Sequence, residues 1–293
     1  MNWFGYRTEN LEKPPHLILH FDVNETLIAI DKAGQKTAHD VVSTSIANRV
    51  KAVWDESISQ PISYSDYIRH HKLENRTASS VVKKEQDALI SKVLTVLEAQ
   101  DHPDLEEMQD LYAKAMHTLE NQKTLIFPSF YALIDRLNEH DLKYTIAIRT
   151  FGTDIPIIVD ELNQECGEGF ISKKDVNGHE ELYEILKEGH VAIQDDFHHW
   201  FNHDKNWQYG KAFPVEQDES KAISFFFDDN AKFSSSHPEE NIVCPFDAES
   251  KKLIHPKEVI EKKRLIPVDT LLALSDEDYY VNIVQEALDK AVL

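Results

Sequence analysis

The run His16-Leu17-Ile18-Leu19-His20-Phe21 follows Pro14-Pro15 and is cut off by the polar cluster Asp22-Val23-Asn24-Glu25-Thr26. A short apolar run without alternation suits a strand buried on both faces, and such strands belong to parallel sheets covered by helices. Tyr144-Thr145-Ile146-Ala147-Ile148-Arg149-Thr150, His190–Gln194, Ile223–Asp228 and Asn241–Cys244 are built the same way. Between them lie segments of helical periodicity, at Pro128–Leu137, Asp154–Gln164 and Glu180–Lys187, with another at Asp276–Val292. Strands alternating with helices predict an α/β fold around a Rossmann-like, doubly wound parallel sheet.

One stretch breaks the alternation. From Asp40, the residues Val42, Ile46, Val50, Val53 and Trp54 recur at helical steps, Leu89, Ile90, Val93, Leu94 and Leu97 mark a second helix within Lys83–Ala99, and a third opens at Asp101-His102-Pro103. Nothing strand-like interrupts them. Residues 31–123 are therefore expected to form an all-helical insertion, and residues 1–30 with 124–293 the α/β domain.

The chain has 293 residues, 41% of them hydrophobic, which supports one large domain or two small ones and excludes a disordered or fibrous chain. Its 31 Lys+Arg face 52 Asp+Glu, and a net charge of -21 repels phosphate backbones, so nucleic acid is not an expected partner. Met1–Arg7 lacks the basic start and apolar run of a secretion signal, and no stretch is long enough to span a bilayer, so a cytoplasmic location is expected. Cys166 and Cys244 are too few for a disulfide framework or thiolate cage, and Asn24-Glu25-Thr26 and Asn75-Arg76-Thr77 would matter as glycosylation sites only after secretion.

In open parallel sheets ligands gather beyond the carboxyl ends of the strands, so the polar residues that end each apolar run are the ones to weigh. These are Asp22 to Thr26, Thr150-Phe151-Gly152-Thr153 and Asp228-Asp229-Asn230, with Lys211 upstream in Tyr209-Gly210-Lys211-Ala212. Carboxylates gathered in one crevice repel unless a hard cation neutralises them, and Mg²⁺ takes oxygen ligands of this kind.

These elements resemble the four motifs of the haloacid-dehalogenase-like (HAD) superfamily, most of whose members are Mg²⁺-dependent phosphohydrolases working through an aspartyl-phosphate. The resemblance covers most of the chain. It implies Asp22 as nucleophile, Thr150 as the hydroxyl that holds a phosphoryl oxygen, and Lys211 as the cation steadying nucleophile and phosphate. It implies further that Asp22, Asp228, Asp229 and the backbone carbonyl of Asn24 form the metal site, and that the helical insertion is the mobile cap. The implied partner is a phosphorylated substrate, either a small molecule or a phosphoprotein.

One position departs from the family pattern. Its phosphatases carry a second Asp two residues after the nucleophile, which protonates the leaving oxygen and later deprotonates the attacking water; this chain has Asn24. An amide cannot exchange a proton at neutral pH. Either another group such as Glu25 or a histidine substitutes, or the substrate needs little protonation, as an aryl phosphate such as phosphotyrosine does, its phenol having a pKa of about 10. The alternative is a HAD-like binding or regulatory protein whose turnover the Asn24 replacement has weakened. Dehalogenation fits poorly with the paired Asp228-Asp229.

Several residues compete for these roles. Lys221 lies nearer the Asp pair than Lys211 does, though the longer separation of Lys211 leaves room for a connecting segment and favours it; Thr150 before Phe151-Gly152 is equally a strand-ending turn, Thr153 could cap the next helix, and Asp195-Asp196 also ends an apolar run. Phe197-His198-His199-Trp200 beside them reads as a binding rim or a packed aromatic loop. His70-His71 and His198-His199 with His203 do not have the spacing of a zinc site, since adjacent histidines point in different directions.

Overall fold

The computed structural model describes residues 15–29, 37–73, 80–167, 169–174, 176, 178–233 and 239–291. Met1–Arg7, the expected boundary at 30–31, Asn75-Arg76-Thr77 and Val292 lie outside them. Contacts divide the chain into two compact units, one within 1–28, 124–268 and 277–293, the other within 29–123 and 269–276.

The first unit is α/β. Its strands are β1 (His16–Asp22), β2 (Tyr144–Thr150), β3 (Ile171–Lys174), β4 (Val191–Gln194), β5 (Lys211–Val215), β6 (Ala222–Asp228), β7 (Val243–Asp247) and β8 (Leu265–Pro267). Six of them form one parallel sheet in the order β8-β6-β1-β2-β4-β3. β1 sits inside this sheet, and its residues from Leu17 to Asp22 are all buried, as an apolar run without alternation requires. Register places Asp22 opposite Arg149 and Phe21 opposite Phe227, so β1, β2 and β6 end level with one another.

Packing behind these strand ends is aromatic. Phe21 stacks on Phe227 with ring centroids 4.6 Å apart and meets Phe130 and Tyr280 edge-on at 5.1 and 5.3 Å. Such pairs add about 0.5–1.5 kcal/mol each beyond the area they bury. His20 points to the other face, stacked on Phe226 and 3.4 Å from Arg149 Nη1. Burial, followed by the Arg149 charge, holds its imidazole well below the ordinary histidine pKa, so it stays neutral.

The sheet differs from expectation at its margins. β3 and β8 are edge strands too short to stand out in the sequence, and the run at Asn241–Cys244 does not enter the main sheet. It forms β7, which pairs in parallel with β5 as a separate two-stranded ladder. Gly210 makes that pairing possible: any Cβ there would collide with the Ile242 carbonyl, which accepts the Lys211 amide at 2.7 Å.

The second unit is mostly helical, with helices Ala38–Arg49, Tyr64–Tyr67, Ser80–Ile90, Val93–Ala99, Leu105–Asn121 and Thr270–Ser275. Its first helix stops at Arg49 instead of running on to Trp54, because Lys51–Ala52 turns extended and pairs antiparallel with Ile62–Ser63. The apolar spacing continued past the helix because Trp54 is buried from extended chain. The expected helix at Lys83–Ala99 is likewise two, parted at Ser91-Lys92. The segment 269–276, read from sequence with the α/β domain, groups here: Asp269 caps the helix Thr270–Ser275 and pairs with Arg49 at 2.8 Å, which also meets Glu107 at 3.2 Å. Among the described residues no helix is long and apolar enough to cross a membrane. Both cysteines are free.

Arg149 is buried in the sheet and donates through Nε and Nη2 to Asp195, at 3.0 and 2.5 Å, and through Nη1 to the Ala212 carbonyl at 2.7 Å. Asp195, weighed above as a rival for the acidic pair, is thus an internal ion-pair partner, and Asp196 caps the helix Phe197–Phe201 by accepting from the His199 amide. Removing one partner of a buried pair strands the other charge, so Asp195→Ala should cost about 3–5 kcal/mol. Asp196→Ala should cost only about 1 kcal/mol. Denaturant unfolding of both variants checks this contrast, and equal losses would contradict it.

Candidate functional site

Following the chain outward from β1 shows why the polar strand ends converge. After β1 it builds β2, β3 and β4 on one side, then crosses to build β6 and β8 on the other. Crossovers diverging from one strand open a crevice at its carboxyl end. Asp22, Thr150 and Asp228 are the last residues of β1, β2 and β6, and all three are buried.

Lys211 opens β5 and enters this crevice. It is 2% exposed, and its Nζ donates to Asp22 Oδ1 at 2.5 Å and to Asp228 Oδ2 at 2.8 Å. Asp229 adds a third carboxylate. Asp22, Asp228 and Asp229 each offer an oxygen within 4.8 Å of the others, the one grouping of three or more potential metal ligands among the described residues. An all-carboxylate oxygen set at this spacing fits a hard divalent cation.

Lys211 alone does not balance the charge here. Burial, and after it Asp228, push the Asp22 carboxyl up to about 7 against the downward pull of Lys211. Asp229 is raised well above the ordinary carboxylate range by burial, then by Asp228, Glu25 and Asp22. Burial alone would lower Lys211, but the charges of Asp22 and Asp228 outweigh it, so the ammonium is kept. One ammonium among three carboxylates leaves a surplus of negative charge that protons or a metal must take up.

The turn after β1 fixes the rest. Leu27 and Ile28 amides close back onto the Val23 carbonyl at 2.8 and 3.0 Å, and Glu25 takes a left-handed φ of 56° to allow it. Fully buried Thr26 accepts from the Asp229 amide at 3.2 Å, and its own carbonyl accepts from the Tyr280 hydroxyl. Thr26 Oγ1 thus ties the β1 turn to the β6 turn, a role that its place at the end of the polar cluster Asp22 to Thr26 does not reveal. Asn24 lies beside Gly152, with its Oδ1 buried and lacking a hydrogen-bond partner. Thr150 Oγ1 accepts the Gly152 amide at 2.8 Å.

The competing residues fall elsewhere. Lys221 is exposed and pairs with Asp218 at 3.3 Å, and Thr153 is exposed. His199 and His203 pack with Tyr209, His203 stacking on its ring at 3.9 Å, and His70 and His71 are exposed in a π-helical turn. An aromatic group adjoins the crevice: Lys211 Nζ lies 5.1 Å from the Phe151 ring centroid, Phe151 stacks on Trp200 and meets Phe197 edge-on, and Phe197 and Phe201 are 40% and 50% exposed. No family model, curated protein or solved structure matches the chain.

A carboxyl with a raised folded pKa destabilises the fold as it ionises; the cost is absent below the ordinary value of 3.8 and complete above about 7. In metal-free buffer, the stability of Asp22→Asn relative to wild type should therefore rise with pH across that interval. Urea unfolding at several pH values measures it, and a difference that stays flat or falls would contradict the electrostatic reading.

Proposed function

We propose that the chain is a Mg²⁺-dependent phosphohydrolase in which Asp22 forms an aspartyl-phosphate, with the α/β unit serving as a HAD-like core and the helical unit as its cap. The observation that carries this is the buried ammonium of Lys211 hydrogen-bonded to both Asp22 and Asp228 at adjoining strand ends. A lysine so placed aligns one carboxylate oxygen and supplies positive charge where a phosphoryl group would gather negative charge.

Asp22, Asp228, Asp229 and the Asn24 carbonyl are the residues that would hold Mg²⁺. Bound there, the ion would offset the surplus carboxylate charge and draw charge from a phosphoryl group. The free Asp22 oxygen attacks phosphorus, the ester P–O bond breaks, and the leaving oxygen departs with its electron pair. Thr150 and Lys211 bind the phosphoryl oxygens, and their fixed positions do most of what the protein must do in a reaction governed by alignment and charge. Water then attacks the phosphorylated Asp22, releasing inorganic phosphate and restoring the carboxylate.

Two features favour aryl over alkyl esters. Asn24 has no proton to give, so a leaving group stable as an anion is at an advantage. The ring group Phe151, Phe197 and Trp200 beside Lys211 offers faces and edges to a substrate ring. Phosphotyrosine, free or within a protein, has both properties.

The expected result with para-nitrophenyl phosphate is Mg²⁺-dependent release of nitrophenolate, abolished by Asp22→Asn. Aryl phosphates should exceed alkyl phosphates in kcat/KM by about a hundredfold, the lower end of what a general acid contributes. Comparable values for the two classes would overturn the aryl preference, and an inert wild-type chain that still binds Mg²⁺ would favour the binding-protein alternative. Because Asp22 and Asp229 hold protons up to unusually high pH, Mg²⁺ should raise the melting temperature more at pH 8 than at pH 6. Asp229→Asn should remove most of that gain; a pH-independent gain would contradict the carboxylate site.

A further inference from the structure

Hydrolysis of a phosphorylated Asp22 leaves one task without an evident residue. The attacking water must lose a proton, and the amide of Asn24 cannot take it. In two successive in-line displacements at phosphorus, Asp22 occupies the same side both times, so water enters where the leaving oxygen departed. The proton acceptor therefore has to stand on the far side of the phosphoryl group from Asp22.

We propose that Asp154 is this proton acceptor, its carboxylate taking over beside Asn24 the work that Asn24 cannot do. The inference rests on the phosphohydrolase reading above. A methyl group placed on Gly152 would stand 3.2 Å from both Thr150 Oγ1 and Asp154 Oδ2 and 3.6 Å from Asn24 Nδ2. Gly152 thus marks a point around which the phosphate-binding hydroxyl, the amide and this carboxylate gather. Asp154 is buried, at 8% exposure, four residues beyond Thr150 at the end of β2.

A second observation explains why this carboxylate is available. Asp154 occupies the N-cap position of the helix Ile155–Glu165, where an Asp side chain ordinarily accepts from the amide two or three residues on. Here it makes no capping hydrogen bond. The residue two positions on is Pro156, which has no amide hydrogen to offer, and Asp154 adopts an αR backbone, with φ -81° and ψ -3°, in place of the usual extended cap geometry. Its Oδ2 lies instead toward Gly152. The helix is anchored through the backbone, by the Ile158 amide donating to the Asp154 carbonyl at 3.1 Å.

The step balances without further reagents. Water oxygen bonds to phosphorus as the bond from phosphorus to the Asp22 oxygen breaks; the electron pair returns to Asp22, and the water proton passes to Asp154. The proton then leaves to solvent, and inorganic phosphate departs. Asp154 is assigned to this second half alone; the first half keeps its demand for a leaving group stable as an anion, which a phenolate meets.

Asp154→Asn separates the two halves. With para-nitrophenyl phosphate and Mg²⁺ it should release one nitrophenolate per chain in a burst, then turn over about a hundredfold or more slowly than wild type, the range for loss of a general base. Intact-mass measurement should show the phosphorylated chain accumulating in this variant and not in wild type. Asn24→Asp added to Asp154→Asn should restore steady turnover and abolish the accumulation, which a merely structural role for Asp154 does not predict. Steady turnover in Asp154→Asn within about threefold of wild type, well short of a general-base effect, would overturn the inference while leaving the phosphohydrolase reading intact. A folded Asp154→Asn that is slow without a burst, and that neither Asn24→Asp nor Asp154→Glu rescues, would overturn it as well. A wild-type chain that releases no nitrophenolate would overturn the underlying reading and this inference together.

Discussion

An ammonium removed from water costs several kcal/mol unless hydrogen-bonded charge of opposite sign surrounds it. Lys211 is removed almost completely, and two carboxylates from different strands meet it. The ends of β1 and β6 and the start of β5 are therefore bound to one position by electrostatics as well as by the sheet. As charged groups, Asp22 and Asp228 offset the cost of burying Lys211, and Lys211 offsets theirs. Asp229 exceeds what one lysine balances, and this surplus turns a structural triad into a candidate cation site.

The surrounding architecture serves that arrangement. β1 lies at the point where the chain changes direction through the sheet, so its carboxyl end faces an open crevice and not a continuous helical layer. Aromatic packing of Phe21, Phe130, Phe227 and Tyr280 stiffens the base of the crevice, and the Tyr280 hydroxyl reaches the Thr26 carbonyl within it. Arg149, one residue before Thr150, is neutralised by Asp195 and does not compete for a phosphate. The net charge of -21 opposes anions over the molecule as a whole, so the phosphorylated substrate proposed above would depend on a local reversal of sign at Lys211 and the proposed cation.

The elements legible in the sequence are those whose burial is symmetric. β1, β2 and β6 are seven-residue strands with six buried residues each, and a strand buried on both faces leaves an uninterrupted apolar run that ends visibly in Asp22, Thr150 or Asp228. β3 and β8 are short edge strands, while Pro214 within β5 contradicts the pattern of a central strand; β5 tolerates it in a two-stranded ladder. Spacing favours Lys211 over Lys221 only through the room it leaves for a connecting segment, because what distinguishes them in the fold is the Gly210 approach to Ile242, a contact between segments distant in the chain. Asp154 was hidden for a different reason: an Asp before a helix reads as a cap. Its signal was Pro156, which withdraws one of the donors that a cap serves.

The reading as a whole stands on whether Asp22 accepts a phosphoryl group with Mg²⁺ beside it. The most direct measurement is a crystal structure of the wild-type chain grown with Mg²⁺ and beryllium fluoride, whose fluoride adduct mimics a phosphoryl group on a carboxylate. The account predicts beryllium bonded to an Asp22 oxygen, its fluorides held by Thr150 and Lys211, and Mg²⁺ coordinated by Asp22, Asp228 and Asp229. An Asp22 without the adduct at saturating concentrations of both ions, still paired with Lys211 and with no metal among the three carboxylates, would contradict it.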